Sequence, residues 1–146
     1  MRTDVKIVNH SGYPLPRYET VGAAGVDLRA KLQAPITLRP LERRLIPTGL
    51  YLELPYGYEG QVRPRSGLSL RRGLTCVNAV GTVDSDYRGE LQIPMVNLDR
   101  EPQTIAPGER IAQLVLNSHG VIAWVEEETL SESDRGGRGF GSTGTA

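Results

Sequence analysis

The sequence predicts an all-β domain, a sandwich or barrel of short strands with at most one short helix. Three observations predict it. Apolar and polar residues alternate in short runs, the signature of half-buried strands. Turn formers, 17 Gly and 10 Pro in 146 residues, punctuate those runs from end to end. No stretch keeps a helical period for long.

The strands are legible in order. Val5 and Ile7 alternate with Lys6 and Val8; Leu50, Leu52 and Leu54 alternate with Tyr51 and Glu53. Leu91, Ile93 and Met95 alternate with Gln92 and Pro94, and Ile122 and Trp124 with Val121, Ala123 and Val125. Such alternation fits antiparallel sheets with one face on the core. Turn signals fall at 33–35, 55–60, 72–73, 88–89 and 107–108. Pro94 inside its run predicts an edge strand or a bulge. The stretch 66–72 is the place for the one short helix. The segment 78–91 reads as a hairpin with its turn near 86–89. The predicted organisation is one domain over 1–130, followed by a glycine-rich arm over 131–146.

Bulk properties exclude several classes. With 17 basic and 17 acidic side chains the formal net charge is +0, which argues against a general nucleic-acid binder. No apolar run is long enough to span a membrane, and no signal peptide is visible, so a soluble, cytoplasmic protein is expected. The single cysteine, Cys76, permits no internal disulfide, fits a reducing compartment and reads as a small core filler. His10 and His119 form no cluster and read as surface residues, so no Cys/His metal site is expected.

The terminal stretch 131–146, SESDRGGRGFGSTGTA, holds the only phenylalanine of the chain, Phe140. Its glycines make the backbone costly to order. Arginine forks and hydroxyls suit phosphate oxygens, and an aromatic face suits a base. The same composition also describes a plain unstructured terminus. GFGSTG fits the dinucleotide pattern GxGxxG but lacks the strand before and the helix after that this pattern needs. A P-loop needs Gly-Lys-Ser/Thr, and no Lys follows Lys31.

Four further segments place polar residues in glycine-rich or apolar surroundings. Asp27 in AGVDL sits in a strand-like run, where Asp is disfavoured, as a turn residue or a site residue. PRSGL places Arg65, Ser66 and Gly67 at the start of the predicted helix, where Ser66 is a helix cap or a phosphate contact. In NAVGTVDSDYRGEL, Asp84 follows Val83 on a pocket wall, where a carboxylate can take a proton from water. Gln113 in GERIAQL lies in an apolar strand, so its amide needs a partner.

These five segments, in this order and spacing, resemble the homotrimeric dUTPase family over nearly the whole chain. The resemblance implies a β jelly roll that assembles as a homotrimer, each active site drawing on all three subunits, and hydrolysis of dUTP to dUMP and pyrophosphate. It implies that Arg65, Ser66 and Gly67 hold the phosphate chain, with Ser66 near the leaving oxygen. The backbone around Asn78 and Gly81, with Thr82 and Val83 beside it, would pair with uracil. Tyr87 would lie under the sugar and exclude a ribose 2′-hydroxyl. Asp84 would activate the water that attacks the α-phosphorus. Asp27 would be supporting, through waters near the metal, and Gln113 would contact phosphate. In the arm, Phe140 and Gly141 would cover the uracil while Arg135, Ser142 and Thr143 clamp the β- and γ-phosphates. Mg²⁺ would be held by substrate phosphates and water, without a protein cage.

The arm departs from the commonest family pattern in carrying Arg138 where glycine is usual, which leaves Arg135 and Arg138 as rival γ-phosphate contacts. Two other functions share these features in part. One is a dCTP deaminase of the same fold, whose relatives lack a GFGSTG arm; the other is a non-catalytic nucleotide-binding module.

Overall fold

The computed structural model describes residues 2–139. Alternating apolar residues build ten strands: β1 Lys6–Asn9, β2 Val26–Arg29, β3 Ile36–Leu38, β4 Arg43–Glu53, β5 Tyr58–Pro64, β6 Leu74–Cys76, β7 Gly81–Val83, β8 Glu90–Asn97, β9 Gln103–Ile105 and β10 Arg110–Ser118. A single helix, α1 Ser66–Arg72, stands between β5 and β6. One four-stranded sheet runs β1-β4-β8-β6, a second runs β2-β10-β5-β7, and β3 pairs with β9. Every pairing is antiparallel. This is the jelly-roll sandwich the sequence points to.

The core lies between the two large sheets. Leu50, Leu52, Leu91, Ile93 and Met95 from one meet Leu28, Val62, Val83 and Ile111 from the other in a single buried cluster. Each such side chain contributes about 1.5–3 kcal/mol by leaving water. Cys76 is part of this cluster, and His10 and His119 are exposed, as expected. Among the described residues no helix is long and apolar enough to cross a membrane.

Helix α1 forms where it is predicted. Gly73 closes it in the left-handed conformation (φ 59°), its N–H donating to the Ser69 carbonyl at 3.0 Å. A Cβ at Gly73 would stand 2.6 Å from the Asp99 nitrogen, so glycine serves both the turn and the close approach.

Three expectations fail, each for a physical reason. Pro94 is in neither an edge strand nor a bulge: β8 lies inside its sheet, and Leu45 pairs with Pro94 in regular register. A strand residue turns its N and its C=O to the same side, and the Pro94 carbonyl accepts from Val77, just beyond the end of β6 at 2.9 Å. The missing donor therefore faces Val77, one residue past the last pair of β6, Cys76 with Met95, so no pair within that ladder is interrupted. The segment 78–91 is not a hairpin. Strand β7 pairs with β5 while β8 pairs with β4 and β6, so residues 84–89 cross from one sheet to the other. The apolar alternation of β8 is better buried between β4 and β6 than beside three-residue β7. Finally, 121–125 forms no strand: its alternation finds no partner among the described residues, and Val121, Ile122, Trp124 and Val125 are all exposed. The last strand ends at Ser118, and 119–138 is exposed throughout.

Candidate active site

The sheet-to-sheet crossing after β7 builds the first half of the site. Asn78, Gly81, Thr82, Val83, Asp84 and Tyr87 line one cavity of about 290 Å³, together with Leu45 and Pro94. Gly81 pairs with Val62, and a Cβ there would stand 3.1 Å from the Asn78 amide nitrogen. The glycine thus lets the Asn78 loop fold down onto β7 and leaves backbone groups at the cavity wall. Asp84 opens the next turn, its carbonyl accepting from the Tyr87 N–H at 3.2 Å. The Tyr87 hydroxyl donates to the Glu90 carbonyl at 2.9 Å. Its ring lies across Gly89, where a Cβ would fall 2.6 Å from Cζ. Only glycine permits that ring position. Asp84 is exposed to the cavity, with its carboxylate open to water.

The second half forms where β5 runs into α1. Asp27, Arg65, Ser66, Gly67, Arg71 and Gln113 line a cavity of about 230 Å³. Asp27 and Gln113 are register partners across β2 and β10 and share one face of the sheet. Asp27 Oδ1 meets Arg65 Nε at 2.9 Å and Oδ2 meets Arg110 Nη1 at 3.0 Å. Arg65 Nη1 also donates to the Arg110 carbonyl at 3.2 Å. The carboxylate and the carbonyl fix the guanidinium of Arg65 by two of its nitrogens and leave its remaining donors for an anion. Gln113 has the partner its position demands, donating from Nε2 to the Pro64 carbonyl at 3.0 Å. Ser66 is not the helix cap. Arg65 holds that position, with extended backbone and no capping side chain, and Ser66 is the first helical residue. Its hydroxyl makes no hydrogen bond among the described residues and faces the cavity.

The two halves do not meet within one chain. Val83 pairs with Gly60 and Gly81 with Val62, so Asp84 leaves one end of β5 while Arg65 and Ser66 leave the other. At about 3.3 Å per residue, the intervening stretch separates them by roughly 20 Å. The two cavities share no lining residue.

Arg135 and Arg138 bond to each other in the exposed tail. Arg135 Nε donates to the Arg138 carbonyl at 2.7 Å, and Arg138 Nε to the Arg135 carbonyl at 3.0 Å. Neither lines the two cavities. Phe140, Gly141, Ser142 and Thr143 lie outside the described residues. Sequence reasoning missed Leu45, Arg110 and Arg71. Arg71 had a signal, since it stands four residues after Gly67 in a predicted helix and so on the same face. The other two had none, because strand pairing between distant segments brings them in.

Among the described residues, no three His, Cys, Asp or Glu side chains come together as a ligand set. Mg²⁺ accepts octahedral oxygen from phosphates and water and asks little of the chain. Asp27, the one carboxylate among the described residues that lines the cavity of about 230 Å³, keeps a lone pair on each oxygen beside its two arginine bonds.

Comparison with known proteins converges on one family. The dUTPase family profile matches residues 12–144. The deoxyuridine 5'-triphosphate nucleotidohydrolase of Finegoldia magna is 56% identical over 140 residues, covering 96% of this chain and 98% of its own length. The enzyme of the same name from Anaeromyxobacter sp. is 59% identical over 144 residues, covering 96% and 95%. Among solved structures, the dUTPase of Staphylococcus bacteriophage 80alpha with dUpNHpp superposes with a TM-score of 0.84 at 26% identity, covering 97% of this chain and 99% of that one. A mutant dUTPase of phage phi11 of S. aureus, described with a structural Mg(II) ion, superposes at 0.78 with 20% identity and is alike in fold.

Proposed function

The chain belongs to the dUTPase family and is a dUTP-hydrolysing enzyme, and from that premise we propose which of its residues carry the reaction. Asp84 orients a water and takes its proton as the water oxygen bonds to the α-phosphorus. The bond from that phosphorus to the bridging oxygen breaks, and dUMP and pyrophosphate are released. Arg65, held by Asp27 and by the Arg110 carbonyl, offsets the charge growing on the leaving pyrophosphate. The Ser66 hydroxyl, uncommitted elsewhere, donates to the bridging oxygen. Gly67 leaves room for the phosphate chain, and Gln113 adds an amide.

Backbone groups at Asn78 and Gly81, with Thr82 and Val83, bind the edge of uracil. Cytosine exchanges donor and acceptor there and leaves buried groups unpaired, which costs roughly 10⁴-fold in such sites. Tyr87, pinned across Gly89, lies under the deoxyribose and crowds out a 2′-hydroxyl. Mg²⁺, carried by the substrate phosphates and water with Asp27 nearby, supplies further charge neutralisation when bound.

The working unit is a homotrimer. A water on Asp84 and a phosphate on Ser66 must both come within about 3 Å of the same reacting group. The roughly 20 Å between the two ends of β5 forbids that within one chain. Two copies resolve it, one offering Asp84 and the other Arg65 and Ser66. The exposed apolar run at Val121, Ile122, Trp124 and Val125 supports contact with a further copy. In this reading 1–130 is the catalytic domain. The arm 131–146 closes over the nucleotide, Phe140 and Gly141 on the uracil, and Arg135, Ser142 and Thr143 on the outer phosphates. A cytoplasmic setting suits a substrate of nucleotide metabolism and a buried reduced thiol at Cys76.

The observation that carries the proposal is the single cavity that gathers Asn78, Gly81 and Tyr87 beside the open carboxylate of Asp84. Incubation with dUTP, dCTP, dTTP and UTP in the presence of Mg²⁺ tests it. Pyrophosphate from dUTP alone is expected. Ammonia from dCTP would indicate a deaminase, and binding without product a silent nucleotide module; either result contradicts the proposal.

A further inference from the structure

One cation at the phosphate-side cavity has no assigned task. Arg71 lines it with Arg65, Ser66 and Gln113. Helix geometry brings Arg71 one turn on from Gly67, onto the same face. Its guanidinium occupies the place a side chain at position 67 would fill: a Cβ on Gly67 would stand 2.7 Å from Nη2 and 3.1 Å from Nη1. Nothing among the described residues accounts for that placement. Arg71 makes no hydrogen bond and no ion pair among the described residues, whereas neighbouring Arg72 is tied to Glu109, Gln103 and the Thr104 carbonyl. Among the described residues the only carboxylate lining the cavity is Asp27, and both its oxygens already face Arg65 and Arg110. The cavity therefore holds two guanidiniums against one carboxylate that is shared with a third. An anion is the complement such a site lacks.

We propose that Arg71 is a further substrate-binding residue, whose guanidinium receives the pyrophosphate portion of the nucleotide beside Arg65. The proposal rests on the phosphate assignment above and extends it to a residue one helical turn away. It gives Gly67 a second reason to be glycine, since a methyl group there would displace the guanidinium of Arg71. Arg71 holds a planar fork with no partner to leave, so binding costs no broken ion pair. A charge-assisted contact of this kind changes affinity roughly 10- to 100-fold.

Arg71→Gln and Arg71→Lys, compared with the parent protein, test it. Arg71→Gln is expected to weaken dUTP and pyrophosphate roughly 10- to 100-fold. It should leave dUMP binding and thermal stability unchanged, because the side chain is exposed and holds nothing else in place. Its KM should depend less steeply on salt than that of the parent. Arg71→Lys, which keeps the charge and loses the fork, should recover part of the loss. Calorimetric titration with pyrophosphate decides the matter independently of turnover. Equal pyrophosphate affinity in parent and Arg71→Gln overturns the proposal, even where the parent hydrolyses dUTP. A parent that failed to hydrolyse dUTP would overturn the family mechanism, while the pyrophosphate titration would still judge Arg71.

Discussion

Asp84 and Arg65 stand at opposite ends of β5. The register of β7 on β5, Val83 to Gly60 and Gly81 to Val62, carries Asp84 off one end, and the chain leaves Pro64 for Arg65 at the other. A reaction that needs both residues at one phosphorus therefore needs two copies of the chain. The mechanism and the assembly are a single claim.

In the proposed mechanism Asp84 takes a proton from the attacking water, while Glu90, which lines the same cavity, already accepts from the Gly49 N–H and the Gln92 amide. Asp84→Asn keeps the shape of the turn and removes the base. Turnover of dUTP is expected to fall by roughly 10²–10⁴-fold. Affinity for a non-hydrolysable imido analogue of dUTP should stay near that of the parent. Single-turnover kinetics beside equilibrium titration separates the two effects.

In the proposed mechanism Asp27 acts through Arg65, to which it is bound at 2.9 Å. Removing one charge from a carboxylate that bridges Arg65 and Arg110, as in Asp27→Asn, frees both guanidiniums. A loss of roughly 10-fold or more in kcat/KM is expected, larger for dUTP than any change in dUMP affinity. Arg110→Ala should give a loss of the same kind, although Arg110 itself does not line the phosphate-side cavity.

Gly89 fixes the position of the Tyr87 ring, which the proposal makes the platform for the sugar. In Gly89→Ala the new methyl group meets the Tyr87 ring, 2.6 Å from Cζ. The ring must move, and discrimination between dUTP and UTP should fall with it. Competition between the two substrates, read as a ratio of kcat/KM, measures this. Unchanged discrimination would remove Tyr87 from the specificity account.

Burial pushes the Cys76 thiol up from an ordinary value of 9.0 to about 11. The unfolded thiol ionises first, so unfolding releases a proton between those values. Its contribution is fully present below pH 9.0 and is lost as pH rises toward about 11. The loss is on the order of 2–3 kcal/mol. Urea unfolding across that range should show a steeper decline for the parent than for Cys76→Ala. At neutral pH the thiol should resist labelling until the protein unfolds.

Local rules carried far in this chain. Alternation placed the strands around Leu52 and Ile93, and the helix appeared at Ser66–Arg72 with Gly73 closing it. Asp27, Asn78, Asp84, Tyr87 and Gln113 lie in cavities because each sits in a glycine-rich turn or a strand that a turn feeds. Pairing choices between distant strands were not legible. The 78–91 segment looks like a hairpin because its turn residues are local, whereas the partner of β7 is set by competition for the core. Pro94 looked like an edge marker because nothing local reveals that the β6 ladder stops at Cys76, opposite Met95. The alternation at 121–125 is real, but the segment pairs with no strand among the described residues. Arg110 reaches Asp27 across 83 residues of sequence, a distance no local pattern spans.

The most direct measurement mixes two inactive variants. Asp84→Asn and Arg65→Ala chains, unfolded together in equal amounts and refolded, assemble at random. If each site takes Asp84 from one copy and Arg65 from another, about a quarter of the sites regain both intact residues. Hydrolysis of dUTP should then return to about a quarter of the parent level, while either variant refolded alone stays inactive. A mixture no more active than its components would contradict the account, because it would place both residues of every working site on the same chain.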